Sequence, residues 1–196
     1  MKINLTTAVL SLLFVIPSAY ADNMTMSSLD LQDGDSVDIR EYPADGDMML
    51  LGFPCDEGTG QAEMNTAELL SESGIEIWMP DLLSAHFLPK LNSAMDEIPA
   101  QDVVALIDAA LTRSNKRVYL ISSGRASTVL MRGLAEWERQ HDGDGKKLDG
   151  VILLYPRLAA GAPDLGKAPV YIDAVGQTRT PIAILEGGKT PNSWAL

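Results

Sequence analysis

Short apolar runs alternate with amphipathic segments over most of the chain. The run at 151–155 is apolar throughout, which is typical of a strand buried on both faces of a parallel sheet. Strands that alternate with helices predict the α/β class, a three-layer sandwich with a mostly parallel sheet, here of about six strands. The expected strands are 75–79, 117–121, 151–155 and 182–185, and the expected helices are 60–73, 101–112 and 126–140.

The segment before these elements has a different pattern. Residues 36–42 alternate between apolar and polar side chains, and 47–53 contain an apolar run. Between them, 43–46 have turn chemistry, so the two segments predict a β-hairpin. Residues 22–35 are polar and show no period, which predicts a flexible leader. The folded domain is then expected over 36–196.

The amino terminus has the three-part layout of a secretory signal peptide. Lys2 precedes an apolar run at 8–16, Pro17 interrupts it, and small residues stand at Ala19 and Ala21. The run is shorter than the roughly 18 residues of a membrane span. We expect cleavage after Ala21 and a periplasmic or secreted protein with no membrane span thereafter.

Composition and charge narrow the expected partners. The chain has 196 residues, 46% of them hydrophobic, enough for one core. Its net charge of −12 makes it an acidic protein that repels phosphate backbones, so no nucleic acid partner is expected. No His, Cys, Asp and Glu cluster has metal-site spacing, and no phosphate loop occurs, so no metal or cofactor is expected. The expected partner is therefore an unknown protein or a small ligand.

The turn after 117–121 carries a family resemblance. Residues 118–127 resemble the strand, sharp turn and helix of the α/β-hydrolase superfamily, whose turn reads small-x-nucleophile-x-small. Residues 51–54 lie where that family places its oxyanion loop. Residues 180–188 resemble the late strand that leads to the family's catalytic acid. The resemblance implies an α/β-hydrolase-like fold over 36–196.

The register of this turn decides its chemistry. With Ser123 as nucleophile, the larger Ile121 and Arg125 occupy the positions that require small residues. With Gly124 there instead, Ser122 and Ala126 are the flanking residues and both are small. The nucleophile position requires positive φ, which glycine adopts most easily. The second register fits better, and it leaves the turn without a nucleophile.

The rest of the family's triad is not recognisable in the sequence. The resemblance implies the order nucleophile, acid, histidine. His86 precedes the turn, and His141 stands in a polar loop. Where the acid would follow the late strand, the chain has Gly188, Lys189 and Thr190. We therefore expect no catalysis from an orthodox triad.

Four residues at the predicted ligand-binding edge are candidates for binding: Phe53, Cys55, Gly124 and Arg125. Arg125 begins a helix, where a guanidinium and a helix N-terminus together suit a carboxylate or phosphate. The alternative is a surface arginine paired with a neighbouring acid. Cys55 lies beside two acidic residues that blunt a thiol nucleophile, and whether it stays a buried thiol or pairs with a partner remains open.

Three interpretations of function follow. The first is an exported hydrolase-like pseudoenzyme that binds a partner or ligand. The second is a serine ester or amide hydrolase that uses Ser123 with an unorthodox base. The third is a truncated product with little function of its own. Such a product would fold poorly, because the loss of an edge strand exposes apolar surface and unpaired backbone groups.

Overall fold

The computed structural model describes residues 24–187 apart from 33, 55–57, 92, 143–144, 146–147 and 162–166. The strands are β1 (Thr25–Asp30), β2 (Ser36–Tyr42), β3 (Met48–Phe53), β4 (Ile75–Pro80), β5 (Arg117–Ser123), β6 (Gly150–Leu154) and β7 (Ile182–Leu185). The α-helices are α1 (Gln61–Glu72), α2 (Leu82–Ala85), α3 (Ala100–Arg113), α4 (Ala126–Gln140) and α5 (Ala174–Gln177), and a 3-10 helix spans Ala94–Glu97. The predicted signal peptide lies outside the described residues.

One mostly parallel sheet organises these elements. Its order is β1-β2-β4-β3-β5-β6-β7. The five strands from β4 to β7 across the sheet run parallel, while β1 and β2 are antiparallel additions at one edge. The predicted three-layer α/β sandwich is confirmed. The sheet has seven strands where about six were expected, because β1 was not foreseen.

The hairpin prediction is wrong. β2 pairs with β4, and β4 separates it from β3. The physical reason is burial, since residues 49–53 of β3 are all buried and need a neighbouring strand on each side. The turn residues at 43–46 reverse the chain without making the two adjoining strands neighbours.

The flexible leader predicted over 22–35 is also wrong for residues 25–30. They form β1, in register with β2 from Thr25 opposite Glu41 to Asp30 opposite Ser36. Ser27 donates a side-chain hydrogen bond to Glu41. An edge strand needs little burial, so the polar sequence of β1 gave no apolar alternation that would predict it.

The two faces of the sheet are covered unequally. One face packs against α2, α3, α4, α5 and the 3-10 helix in the main core. There α3 and α4 touch closely, because a Cβ at Gly133 would lie 2.2 Å from the Cβ of Val103. In the part of the chain that the structure describes, the other face is covered by α1 over a smaller cluster of Tyr42, Leu50, Ala67, Ile77 and Met79. We call these the α4 face and the α1 face.

β7 is the short strand at the outer edge of the sheet, opposite β1. All four of its residues are exposed, and among the described strands it pairs with β6 alone. Ala183 lies beside Ile152 and Leu185 beside Leu154, so Ala183 and Leu185 are on the α1 face. The α1 face therefore extends past α1 as an apolar surface that reaches the edge of the sheet.

Candidate functional site

The turn between β5 and α4 places glycine where the backbone is left-handed. β5 ends at Ser123, α4 begins at Ala126, and Gly124 has φ +55°. Its N–H donates to the carbonyl of Leu154 at 3.0 Å, and its carbonyl accepts from the N–H of Arg157 at 2.9 Å. A Cβ at Gly124 would meet no atom within 4 Å, so the backbone angle, not crowding, favours glycine.

The two serines before this glycine lie on opposite faces of the sheet. The hydroxyl of Ser122 donates to the hydroxyl of Ser127 at 3.0 Å, and both residues are buried between β5 and α4. Ser123 lines a groove on the α1 face. The alternation of a strand thus gives Ser122 a packing role and exposes Ser123 away from the main core.

Both histidines are bound to carboxylates of α3. The His86 Nε2 atom lies 2.5 Å from Oδ2 of the buried Asp102, and its Nδ1 lies 3.9 Å from Asp35. The His141 Nε2 lies 3.2 Å from Asp108, and its ring stacks on Trp137 at a centroid distance of 4.9 Å. These contacts are on the α4 face, with the sheet between them and Ser123.

The position of His141 along α4 adds to its separation from the turn. The helix has 15 residues, so at 1.5 Å per residue its far end lies about 22 Å from the turn. A general base must approach its nucleophile to about 3 Å, directly or through one water. His141 is not placed to activate Ser123.

The space directly in front of the turn is filled. A cavity of about 20 Å³ lies between Phe53, Leu82, Met95, Ile98 and Ala126. Such a volume holds about one water molecule. The described lining of this cavity is mostly apolar and includes Val129 of α4, so little space is left beside the start of that helix.

A larger groove runs between α1 and the sheet. Its volume is about 240 Å³, and Ser123 lies at one end. Its floor includes Ile121 and Leu154, and its wall includes Thr66 and Leu70 of α1. Pockets for drug-sized ligands usually measure about 300–1,000 Å³, so this groove suits a few side chains better than a large metabolite.

Comparison with known proteins supports the architecture. No protein-family model and no curated protein matches the chain. Among solved structures, the α/β hydrolase GrgF of Penicillium sp. sh18 superposes with a TM-score of 0.52 at 15% identity, over 70% of this chain and 47% of its own. A candidate dienelactone hydrolase of Klebsiella pneumoniae subsp. pneumoniae superposes with a TM-score of 0.56 at 14% sequence identity, over 82% of this chain and 70% of its own. An esterase of Pyrococcus furiosus superposes with a TM-score of 0.52 at 14% sequence identity, over 68% of this chain and 50% of its own.

The chain has the α/β-hydrolase fold. The resemblance seen in residues 118–127 is thereby confirmed at the level of the fold. This α/β-hydrolase-like chain spans about half the length of GrgF and of the Pyrococcus esterase. Within the described residues, its helices are too short or too polar to cross a bilayer.

The predicted binding residues of this α/β-hydrolase-like chain do not form one open site. Arg125 Nη2 lies 3.3 Å from Oδ2 of Asp96, which is the ion pair expected under the alternative interpretation. Phe53 is buried at 4% exposure. Gly124 contributes backbone only, and Cys55 lies outside the described residues. The binding roles of these four residues stay predictions.

A polar cleft beside α4 and α5 is wider but carries charges that already pair. Arg139 lies 2.5 Å from Glu136, and hydrogen bonds from Arg139 and Gln140 lower the pKa of Glu136 to about 2. Arg179 lies 2.9 Å from Asp142. Because these charged groups are already paired, they do not mark the cleft as a binding site.

The sequence did not foresee the groove. Its floor belongs to alternate residues of β5 and β6, and its wall to one side of α1. The available signal was the helical spacing of Ala62, Thr66 and Leu70, which places these three residues on one side of α1. That signal has meaning only once the structure shows which sheet face α1 covers.

Proposed function

We propose that this α/β-hydrolase-like domain is an exported, non-catalytic binding protein that holds an apolar segment in the groove between α1 and the sheet. The observation that most directly supports a non-catalytic role is that Gly124 has φ +55°, the conformation in which the family's nucleophile is expected. Glycine supplies no nucleophile there. The export part of the proposal comes from the signal-like sequence of residues 1–21.

The placement of the polar groups supports a role without catalysis. Acyl transfer by a serine requires a base within hydrogen-bond reach of the hydroxyl and a third group that orients the base. His86 has a group that could orient it as a base, because Oδ2 of Asp102 lies 2.5 Å from its Nε2 atom. The pair is on the α4 face, however, while Ser123 lines the α1 face.

The shape and lining of the groove support binding. Its floor is formed by apolar side chains of the sheet, and its open side continues to the exposed Leu185 of β7. Groove recognition commonly uses a few apolar anchor side chains from a peptide segment. A volume of about 240 Å³ accommodates such anchors.

Nile red, an uncharged apolar fluorescent dye, tests the groove as a binding site. Thr66→Arg places a cation on the groove wall, while Asn65→Arg places the same charge on an exposed α1 residue outside the groove lining. We expect Thr66→Arg to lower dye affinity roughly tenfold relative to Asn65→Arg, because a desolvated charge is costly in an apolar site. Equal affinities in the two variants contradict the groove proposal.

A second candidate is a serine ester or amide hydrolase. The observation in its favour is that the three solved neighbours named above carry hydrolase names, and Ser123 is accessible in the groove. This alternative requires a Ser123 hydroxyl that reacts with fluorophosphonates.

A further inference from the structure

We propose that the groove between α1 and the sheet selects a basic apolar peptide segment, with a large apolar side chain in the groove and a lysine or arginine beside Glu63. This inference rests on the groove being the binding site of the proposed function, and it names the chemical class of the segment that binds there. The two anchors of the segment follow from two different ends of the groove.

The groove is apolar over most of its length. Leu50 of β3 lies opposite Ile77 of β4, and both line the groove together with Leu70 from the last turn of α1. A peptide side chain placed over these residues would be removed from water on one side by the sheet and on the other by the helix. Burial of apolar surface in such a position favours binding, so this part of the groove suits an aliphatic or aromatic anchor.

The other end of the groove is polar. α1 connects the end of β3 to the start of β4, and these two strands are parallel. The first turn of α1 therefore lies at the carboxyl end of the strands, where β5 also finishes with Ser123. Glu63, in that first turn, and Ser123 both line the groove. Glu63 and Leu70 are two helical turns apart, which is about 10 Å along the groove.

The charge at this polar end is negative. Among the described residues that line the groove, Glu63 is the one charged side chain. The N–H of Gly60 donates to its Oε2 at 3.1 Å, which holds the carboxylate in place and leaves it charged. Arg40, opposite the lining residue Met79, lies 3.8 Å from Asp81 and stands outside the lining. A cation on the bound segment would therefore meet an acidic group, and the net charge of −12 adds an attraction of the same sign.

The distance between the two ends matches an extended peptide. Side chains two positions apart point to the same side of an extended chain, about 7 Å from each other. The long, flexible stem of a lysine can cover the remaining few ångströms to a carboxylate. A leucine followed two positions later by a lysine is thus a minimal probe. Acetyl-leucyl-threonyl-lysine amide and acetyl-leucyl-threonyl-glutamine amide differ in the cation at the final position.

Displacement of Nile red by these two peptides at low ionic strength tests the charge preference. We expect the lysine peptide to displace the dye at a roughly fivefold lower concentration, the size of one partly exposed ion pair. Glu63→Gln should make the two peptides equal. Glutamine can accept the same hydrogen bond from Gly60, so this variant keeps the contact at the start of α1. Glu68→Gln is the matched control, because it removes the same charge from an exposed α1 residue outside the lining and should keep the fivefold difference.

Failure of the charge preference can be separated from failure of the groove. The inference is overturned if the peptides displace Nile red equally, if neither displaces it, or if Glu68→Gln removes the difference as fully as Glu63→Gln. If it is overturned while Nile red still distinguishes Thr66→Arg from Asn65→Arg, the groove remains a binding site. If Nile red does not distinguish those two variants, both proposals are wrong.

Discussion

The carboxylate of Glu138 accepts two hydrogen bonds from Thr180, from the backbone N–H at 2.8 Å and from the hydroxyl at 2.7 Å. Its second oxygen accepts from the N–H of Arg179 at 2.8 Å. Glu138 belongs to α4 and is buried at 7% exposure, whereas Arg179 and Thr180 lie in the segment that leads into β7. One side chain thus ties the start of the outermost strand to the helix layer.

Glu138→Ala is expected to lower the free energy of unfolding by about 2–3 kcal/mol, because partly buried N–H groups would lose their acceptor. Glu138→Gln keeps one acceptor oxygen and should lose less. Urea unfolding followed by circular dichroism measures both. A change below about 0.5 kcal/mol in the alanine variant would mean that β7 is not held by this contact.

Gly124→Ala tests the turn. The methyl group meets no neighbour within 4 Å, so the expected loss of about 1–3 kcal/mol comes from positive φ alone. Gly176→Ala is the matched control, since that glycine also has open space and no positive φ. Equal stability of the two variants would contradict a strained backbone at residue 124.

Gly133→Ala tests the contact between α3 and α4. The new Cβ would lie 2.2 Å from the Cβ of Val103, which requires the helices to separate. We expect a loss of about 2–3 kcal/mol from overpacking, seen as a lower urea midpoint. An unchanged midpoint would show that the helices adjust freely.

The sequence predicted the elements whose own pattern decides their structure. β6 is apolar throughout and α3 and α4 have clear helical periods, so burial alone selects strand or helix. The pairing of β2 with β4 was not predictable from the turn at 43–46, because it depends on where β3 finds two neighbours. β1 was missed because a polar edge strand is held mainly by backbone hydrogen bonds.

The candidate site was less accessible to sequence reasoning. The preference for Gly124 at the turn came from local sterics, which short sequences encode well. The ion-pair partner of Arg125 could not be predicted from local sequence. Asp96 lies 29 positions away and reaches Arg125 only through the packing of the 3-10 helix. The groove depends on α1 covering one face incompletely, which is a property of the assembled layers.

Folding and labelling measured on one sample test the proposed non-catalytic role most directly. Purified residues 22–196, the form expected after signal cleavage, would be checked for a cooperative thermal transition and then exposed to a fluorophosphonate probe, beside Ser123→Ala. We expect a cooperative transition and no labelling. Labelling that disappears in Ser123→Ala would make the protein a hydrolase, and a non-cooperative transition would contradict a stably folded binding protein.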